Sequence, residues 1–184
     1  MIQLMSICPR AGVAAVLLFV ASSAGLVPRA VSAAEPPKTA TCSAAPFQQF
    51  DFWVGDWDAF DVGKPDAPVA RTHVSRILDG CVLLEVYEGA DGHIGQSFSI
   101  YDASRKVWHQ SWVTNRGELL VLEGTRKGNR IVFEGDSITA KGKQRTQVFW
   151  EPQGADVRET ATVSDDGGKS WKPLFDIVFR KHKD

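Results

Sequence analysis

Phe50-Asp51-Phe52-Trp53-Val54-Gly55-Asp56-Trp57-Asp58-Ala59-Phe60 is the stretch on which the reading of this chain turns. It sets five aromatic side chains around a Gly-x-Trp step, Gly55 and Trp57. After it, no segment keeps helical periodicity for long. Short strand-like runs recur instead, at about the 8–12-residue spacing that signals an all-β sandwich or barrel. Turn formers separate them at Asp61 to Pro68, Asp79-Gly80, Gly89 to Gly92, Asp102 to Ser104, Asn115 to Gly117, Gly128-Asn129, Gly135-Asp136, Gly142, Gln153-Gly154 and Asp165 to Gly168. These residues tolerate the geometries that hairpins require. The runs number about ten, where a strongly twisted sheet tends to curl or close. Short links pair sequential neighbours antiparallel. The expectation is an all-β fold, one antiparallel up-and-down barrel of about ten strands, with a Trp of the first strand plugging one end. The least regular run is Arg71 to Leu78.

On the N-terminal side the chain reads as a secretion signal. Arg10 gives a weak basic flank, Ala11 to Val27 is almost wholly apolar, and Val31-Ser32-Ala33-Ala34 offers an A-x-A-like cleavage site. A spanning helix needs about 20 mostly apolar residues, and Pro28 and Arg29 cut this run short. No Cys follows the small residues, so a lipid anchor is not indicated, and no twin-Arg pair is present. The expected organisation is a cleaved signal over residues 1–33, an extended lead-in over 34–46 and a single domain over 47–184. Pro46 to Phe50 is expected to form one helical turn. The protein is then periplasmic or secreted, with no stable membrane anchor after cleavage. Cleavage removes Cys8 and leaves Cys42 and Cys81, an even count that points to one disulfide in an oxidising compartment.

The formal charge is -1, from 21 basic and 22 acidic residues that are interspersed. The one local cluster, Arg126-Lys127 with Arg130, is expected at a solvated hairpin tip. Nucleic acid and membrane surfaces are therefore not the expected partners.

Few motifs carry chemistry. Ser164-Asp165-Asp166-Gly167-Gly168-Lys169-Ser170-Trp171 fits S-x-D-x-G-x-[ST]-W and resembles the Asp-box of sialidases and other β-propeller proteins. Asp166 can bond nearby backbone, Gly168 allows positive φ and Trp171 can cover the turn, so the motif reads as a hairpin device. Its Gly168-Lys169-Ser170 tail lacks the first Gly of a phosphate loop and precedes a strand. His73, His93, His109 and His182 show no zinc-type pairing, and no metal or cofactor is expected. Haem-binding barrels of the nitrobindin type place a proximal His near the chain end, which singles out His182, although its position in the tail favours exposure. No G-x-S-x-G elbow is present. Glu85, Glu123, Glu134, Glu159 and Asp176 fall in separate runs, and sequence does not pair them.

The run Lys106 to Thr114 has two exclusive faces, Trp108, Gln110 and Trp112 against Val107, His109, Ser111 and Val113. With the Trp face inward, Gln110 becomes an interior hydrogen-bonding group between two rings, as in an apolar cavity with a few placed polar contacts. The alternative is a plainly packed barrel in which a neighbour or a buried water satisfies Gln110. Glu85, Ser99, Arg145 and Glu159 raise the same question, and an inward Arg145 needs a carboxylate or an anionic ligand.

Several of these stretches resemble a family of secreted bacterial proteins defined as a domain of unknown function. The likeness lies in Phe50 to Trp57, Leu78-Asp79-Gly80-Cys81-Val82-Leu83-Leu84-Glu85, Tyr101-Asp102, Trp108 to Val113, Ser164 to Trp171 and Phe175-Asp176. It spans nearly all of the mature chain and implies no activity. A second likeness is to the lipocalin and fatty-acid-binding barrels (calycins), which carry Gly-x-Trp on the first strand and a basic residue at the end of the last. It implies structural roles for Gly55, Trp57 and Arg180, with a guanidinium stacked on the indole for about 0.5–2 kcal/mol. The first-strand aromatic cluster here is denser than the calycin pattern.

The function expected first is binding of a small, largely apolar molecule, using Trp108, Gln110 and Trp112 with Glu85 and Arg145. An extracytoplasmic enzyme using Glu85, His109 or Glu159 as acid or base is the second reading. A filled barrel that binds partners on its outer face is the third.

Overall fold

The computed structural model describes residues 42–139 and 142–183. The expected signal segment, and the lead-in as far as residue 41, lie outside the described residues. Ten strands follow one another: β1 (Gly55–Asp61), β2 (Ala70–Ile77), β3 (Val82–Gly89), β4 (Ile94–Asp102), β5 (Val107–Thr114), β6 (Leu119–Lys127), β7 (Arg130–Thr139), β8 (Gly142–Gln153), β9 (Asp156–Ser164) and β10 (Lys172–Lys181). Each pairs antiparallel with its sequence neighbours, and β1 pairs with β10, so the sheet closes into an up-and-down barrel. Among the described residues, no helix is long and apolar enough to cross a membrane.

Period-two alternation decides what each strand sends inward. On β2, Ala70, Thr72 and Val74 are buried while Arg71 and His73 are exposed, so the run that looked least regular alternates cleanly. On β4 the pattern is inverted in chemistry. Gly95, Ser97 and Ser99 face the interior, while Ile94, Phe98 and Ile100 face out. Small inward side chains on one wall leave space that its neighbours do not fill.

One end of the barrel is stopped by residues that precede β1. Two 3₁₀ turns, Ala45–Gln48 and Asp51–Trp53, lead into the first strand, and Pro46 is the second residue of the first of them. In a 3₁₀ turn residues three apart share a side, which sends both Phe50 and Trp53 into the barrel, where they are fully buried. The Trp53 ring lies 4.5 Å from Trp150, 4.4 Å from Phe179 and 5.5 Å from Trp57. Phe50 meets Trp108 at 5.7 Å and Trp150 at 5.6 Å, both edge-on. The stopper is thus Phe50 and Trp53 with Trp57 behind them, rather than a first-strand Trp alone.

Four ties hold this stopper. The Trp57 indole N–H donates to the Trp53 carbonyl at 3.0 Å. The Trp108 indole donates to Gln49 Oε1 at 3.3 Å. Arg76 of β2 donates to the Phe47 carbonyl at 3.2 Å and also pairs with the Asp51 carboxylate and the Gly80 carbonyl. Cys42 and Cys81 are joined as a disulfide, linking the chain before the first turn to the β2–β3 turn.

The cation over Trp57 is Lys181, not Arg180. The antiparallel register sets Trp57 opposite Lys181 and Asp58 opposite Arg180. A one-residue step in a strand moves a side chain to the other face, so Arg180 instead covers the outward Phe60 ring at 4.3 Å. Lys181 Nζ sits 3.7 Å from the Trp57 ring centre and donates to the Val54 carbonyl at 3.2 Å. The Gly-x-Trp step has its reason here. A Cβ on Gly55, which has φ +143°, would collide with the Lys181 ammonium.

The Asp-box stretch forms the β9–β10 turn. Asp166 Oδ1 accepts the backbone N–H of Lys169 and of Ser170 at 2.9 Å each, and Oδ2 accepts the Ser170 hydroxyl at 2.6 Å. These bonds, led by Ser170, hold the Asp166 carboxyl well below the usual range. The Trp171 indole donates to the Gly168 carbonyl at 3.2 Å. The motif completes a turn with its own atoms.

Replacing Trp53 with Ala should cost about 3–5 kcal/mol, the range for a buried Trp or Phe, measured by urea unfolding. A loss well under 1 kcal/mol would mean that Trp53 does not stop the barrel. Lys181→Met should cost about 1 kcal/mol through the lost cation–π contact, read in the same assay, and equal stability in the variant would show the contact to be idle.

Candidate functional site

Above the stopper the barrel holds a cavity of about 310 Å³, at the small end of ligand-pocket sizes. Trp150 and Phe179 form its floor, since the same rings pack on Trp53 from above. Its side wall includes Leu122, Val148 and Ile177, and its rim includes the part-exposed Leu174 and Phe175. The β9–β10 pairing shifts register between Pro173 and Phe175. Such a bulge re-aims side chains, and this one sets two consecutive apolar residues at the mouth.

Polar groups enter from three neighbouring strands. Glu85 on β3 stands opposite Ser97 on β4, and Ser99 stands opposite Gln110 on β5. All four are buried. The Ser97 hydroxyl donates to Glu85 Oε2 at 2.7 Å, while the Gln110 amide donates to Ser99 Oγ at 3.2 Å and reaches Ser97 Oγ at 3.5 Å. Trp112 lies flat across Gly95, where any Cβ would collide with its six-membered ring. Its edge-on neighbours are Tyr87 at 5.8 Å and His93 at 6.3 Å.

A second carboxyl faces the same space. Glu159 on β9 lines the cavity, and the closed strand order puts β9 almost diametrically opposite β3. No Lys or Arg is among the cavity-lining residues. Burial pushes the Glu85 carboxyl up to about 7, with the Ser97 hydrogen bond pulling back. Burial raises Glu159 well above the carboxylate range too, and the neighbouring Glu85 charge adds to it. Burial also raises the Tyr87 hydroxyl, helped by Asp91, Glu159 and Glu85.

Among the residues singled out from sequence, Glu85, Gln110 and Trp112 come together on the cavity wall. Trp108 shares their inward face but lies deeper, buried against Phe50 and Tyr101, and belongs to the stopper. Arg145 is half-exposed on the outer surface, where it pairs with Glu134 at 2.7 Å. His109 is also outside, 3.4 Å from Glu123, so of the three acid/base candidates only Glu85 and Glu159 share a space. His182 hydrogen-bonds Asp58 at 2.9 Å and does not line the cavity.

Sequence reading missed Tyr87, His93, Thr146 and Trp150 as lining residues. Tyr87 was within reach, two residues beyond Glu85 on the same strand face. Thr146, Val148 and Trp150 likewise form one face of β8. His93 comes from the β3–β4 turn, where no periodicity exists to place it. Among the described residues, no three His, Cys, Asp or Glu side chains gather as metal ligands. Comparison of the chain with protein-family models finds no match, and comparison with curated proteins finds none.

The Glu85 environment fixes the sign of a pH effect. Between about 4.5, its ordinary value, and about 7 the folded chain keeps a proton that the unfolded chain has released. Stability therefore falls as pH rises through that window and is level above it for this group. Glu85→Gln should remove that part of the slope, about 3 kcal/mol across the window, in urea unfolding at several pH values. Parallel pH profiles for the two proteins would contradict a desolvated Glu85.

Proposed function

We propose that this is an exported barrel that binds a small, largely apolar molecule in its interior. The observation that carries the reading is the cavity of about 310 Å³, with an aromatic floor and a short buried polar string on one wall. Ligand sites take this form, mostly apolar with a few placed polar groups that fix orientation. The likeness to calycin barrels supports the same reading. Export is supported by the Arg10-to-Ala34 sequence pattern and by the Cys42–Cys81 disulfide, since such bonds persist in oxidising compartments.

A second reading, acid–base catalysis inside the barrel, draws on the raised carboxyls of Glu85 and Glu159 in one cavity. Binding is preferred because no basic or nucleophilic partner is bonded to either carboxyl: Ser97 is the one side chain bonded to that of Glu85, and the Glu159 carboxyl has no hydrogen-bond partner among the described residues.

Trp112 and Trp150 line the cavity and supply the readout. Titration with non-fluorescent neutral lipophiles such as cyclohexanol or cyclohexylmethanol should change tryptophan emission saturably. Val148→Phe, which places a ring into the cavity, should abolish that change in a protein that still unfolds cooperatively. An unaltered response in the filled variant would put the binding elsewhere, and no response to any neutral or charged lipophile would reject the reading.

A further inference from the structure

We propose that the cavity ligand is a lipophilic amine, a primary ammonium on a compact apolar body, with its charged head seated between Glu85 and Glu159. This rests on the binding reading above and specifies the polar end of the ligand.

The first support is an incomplete ion pair. Acidic side chains are almost never fully buried unless paired, and an uncompensated buried charge is costly. Here two carboxyl groups enter one cavity from opposing walls, and the cavity lining contains no cation of the protein's own. The other titratable groups facing that space are Tyr87 and His93. Tyr87 is a phenol and supplies no positive charge. His93 lines the cavity, but its buried Nε2 faces the half-exposed Glu118 carboxylate at 3.3 Å rather than Glu85 or Glu159. The position opposite both carboxyls is left for a ligand.

The second support is the direction of the hydrogen bonds. Gln110 donates toward the serine hydroxyls, and Ser97 gives its single proton to Glu85. The string runs donor to acceptor and ends on Glu85, which therefore receives stabilisation as an anion. An anionic head would meet two acids and no counter-charge.

The third support is the aromatic surround. Tyr87, Trp112 and Trp150 line the same cavity, and ring faces attract a desolvated cation. The apolar remainder of the wall accepts a hydrocarbon body. The burial that raises both carboxyls means that the empty cavity stores protons near neutral pH. Entry of an ammonium ion then converts a protonated carboxyl to a carboxylate, and the proton leaves to solvent. Charge balances, because one cation enters as another departs.

The test is isothermal titration of the mature protein at pH 7 with three matched probes: cyclohexylmethylamine, cyclohexylmethanol and cyclohexanecarboxylate. Each is run in phosphate and in Tris, whose ionisation heats differ. The amine should bind about tenfold or more tightly than the alcohol, the scale of a charge-assisted contact. The carboxylate should bind weakest. Only the amine should show a buffer-dependent heat that reports proton release. Glu85→Gln and Glu159→Gln should each erase the amine's advantage over the alcohol. Equal affinity for amine and alcohol, or amine binding with no proton release, overturns this inference and leaves the binding reading intact. Binding of none of the three, together with no response to neutral lipophiles, overturns both. The wild-type comparison decides the matter even where a glutamine variant fails to fold.

Discussion

Trp53 is the contact on which the rest of the molecule depends. Packed 4.4 Å from Phe179 and 4.5 Å from Trp150, it turns an open tube into a vessel with a base. A closed ten-strand sheet has no free edges to satisfy, but its ends still have to exclude water from the core. The chain does so before the barrel begins, with two short turns that carry Phe50 and Trp53 inward. Arg76, the Cys42–Cys81 bond and the Trp57-to-Trp53 hydrogen bond hold those turns in place. From this base the depth of the cavity follows: rings fill the lower barrel, and smaller side chains leave the upper part open.

That division also separates two tasks along single strands. On β5, Trp108 serves the base while Gln110 and Trp112 serve the cavity. On β8, Trp150 touches both. On β4, Gly95, Ser97 and Ser99 supply room and hydroxyls where bulky residues would have filled the interior. The apolar residues displaced from that inward face, Phe98 and Ile100, stand on the outside.

The architecture was largely legible in the sequence, because Gly, Asp and Asn at regular intervals mark hairpins by their backbone tolerance, although Gly135-Asp136 lies within β7 rather than at a turn. The Asp166 turn was legible for the same reason, since it needs no distant partner. The Trp-Gln-Trp alternation of residues 108–112 showed that these side chains share a face. The stopper was not visible as such, because two single 3₁₀ turns carry no periodic signal and the aromatic run reads as continuous strand. Arg180 and Lys181 are adjacent, and only the β1–β10 register decides which one meets Trp57. β4 would mislead a reader who turns its apolar residues inward. The meeting of Glu85 and Glu159 depends on closure of the barrel, a long-range property that local pattern does not encode.

The interior therefore combines an apolar wall with two carboxyls, Glu85 buried and Glu159 half-buried. The most direct measurement is a carbon-13 NMR titration of the glutamate side-chain carboxyls in the folded, ligand-free protein. Two of them should titrate well above the ordinary range, Glu85 near 7, assigned by loss of the signal in Glu85→Gln and Glu159→Gln. Glutamates that all titrate near 4.5 would place both carboxyls in water and contradict the cavity as described here.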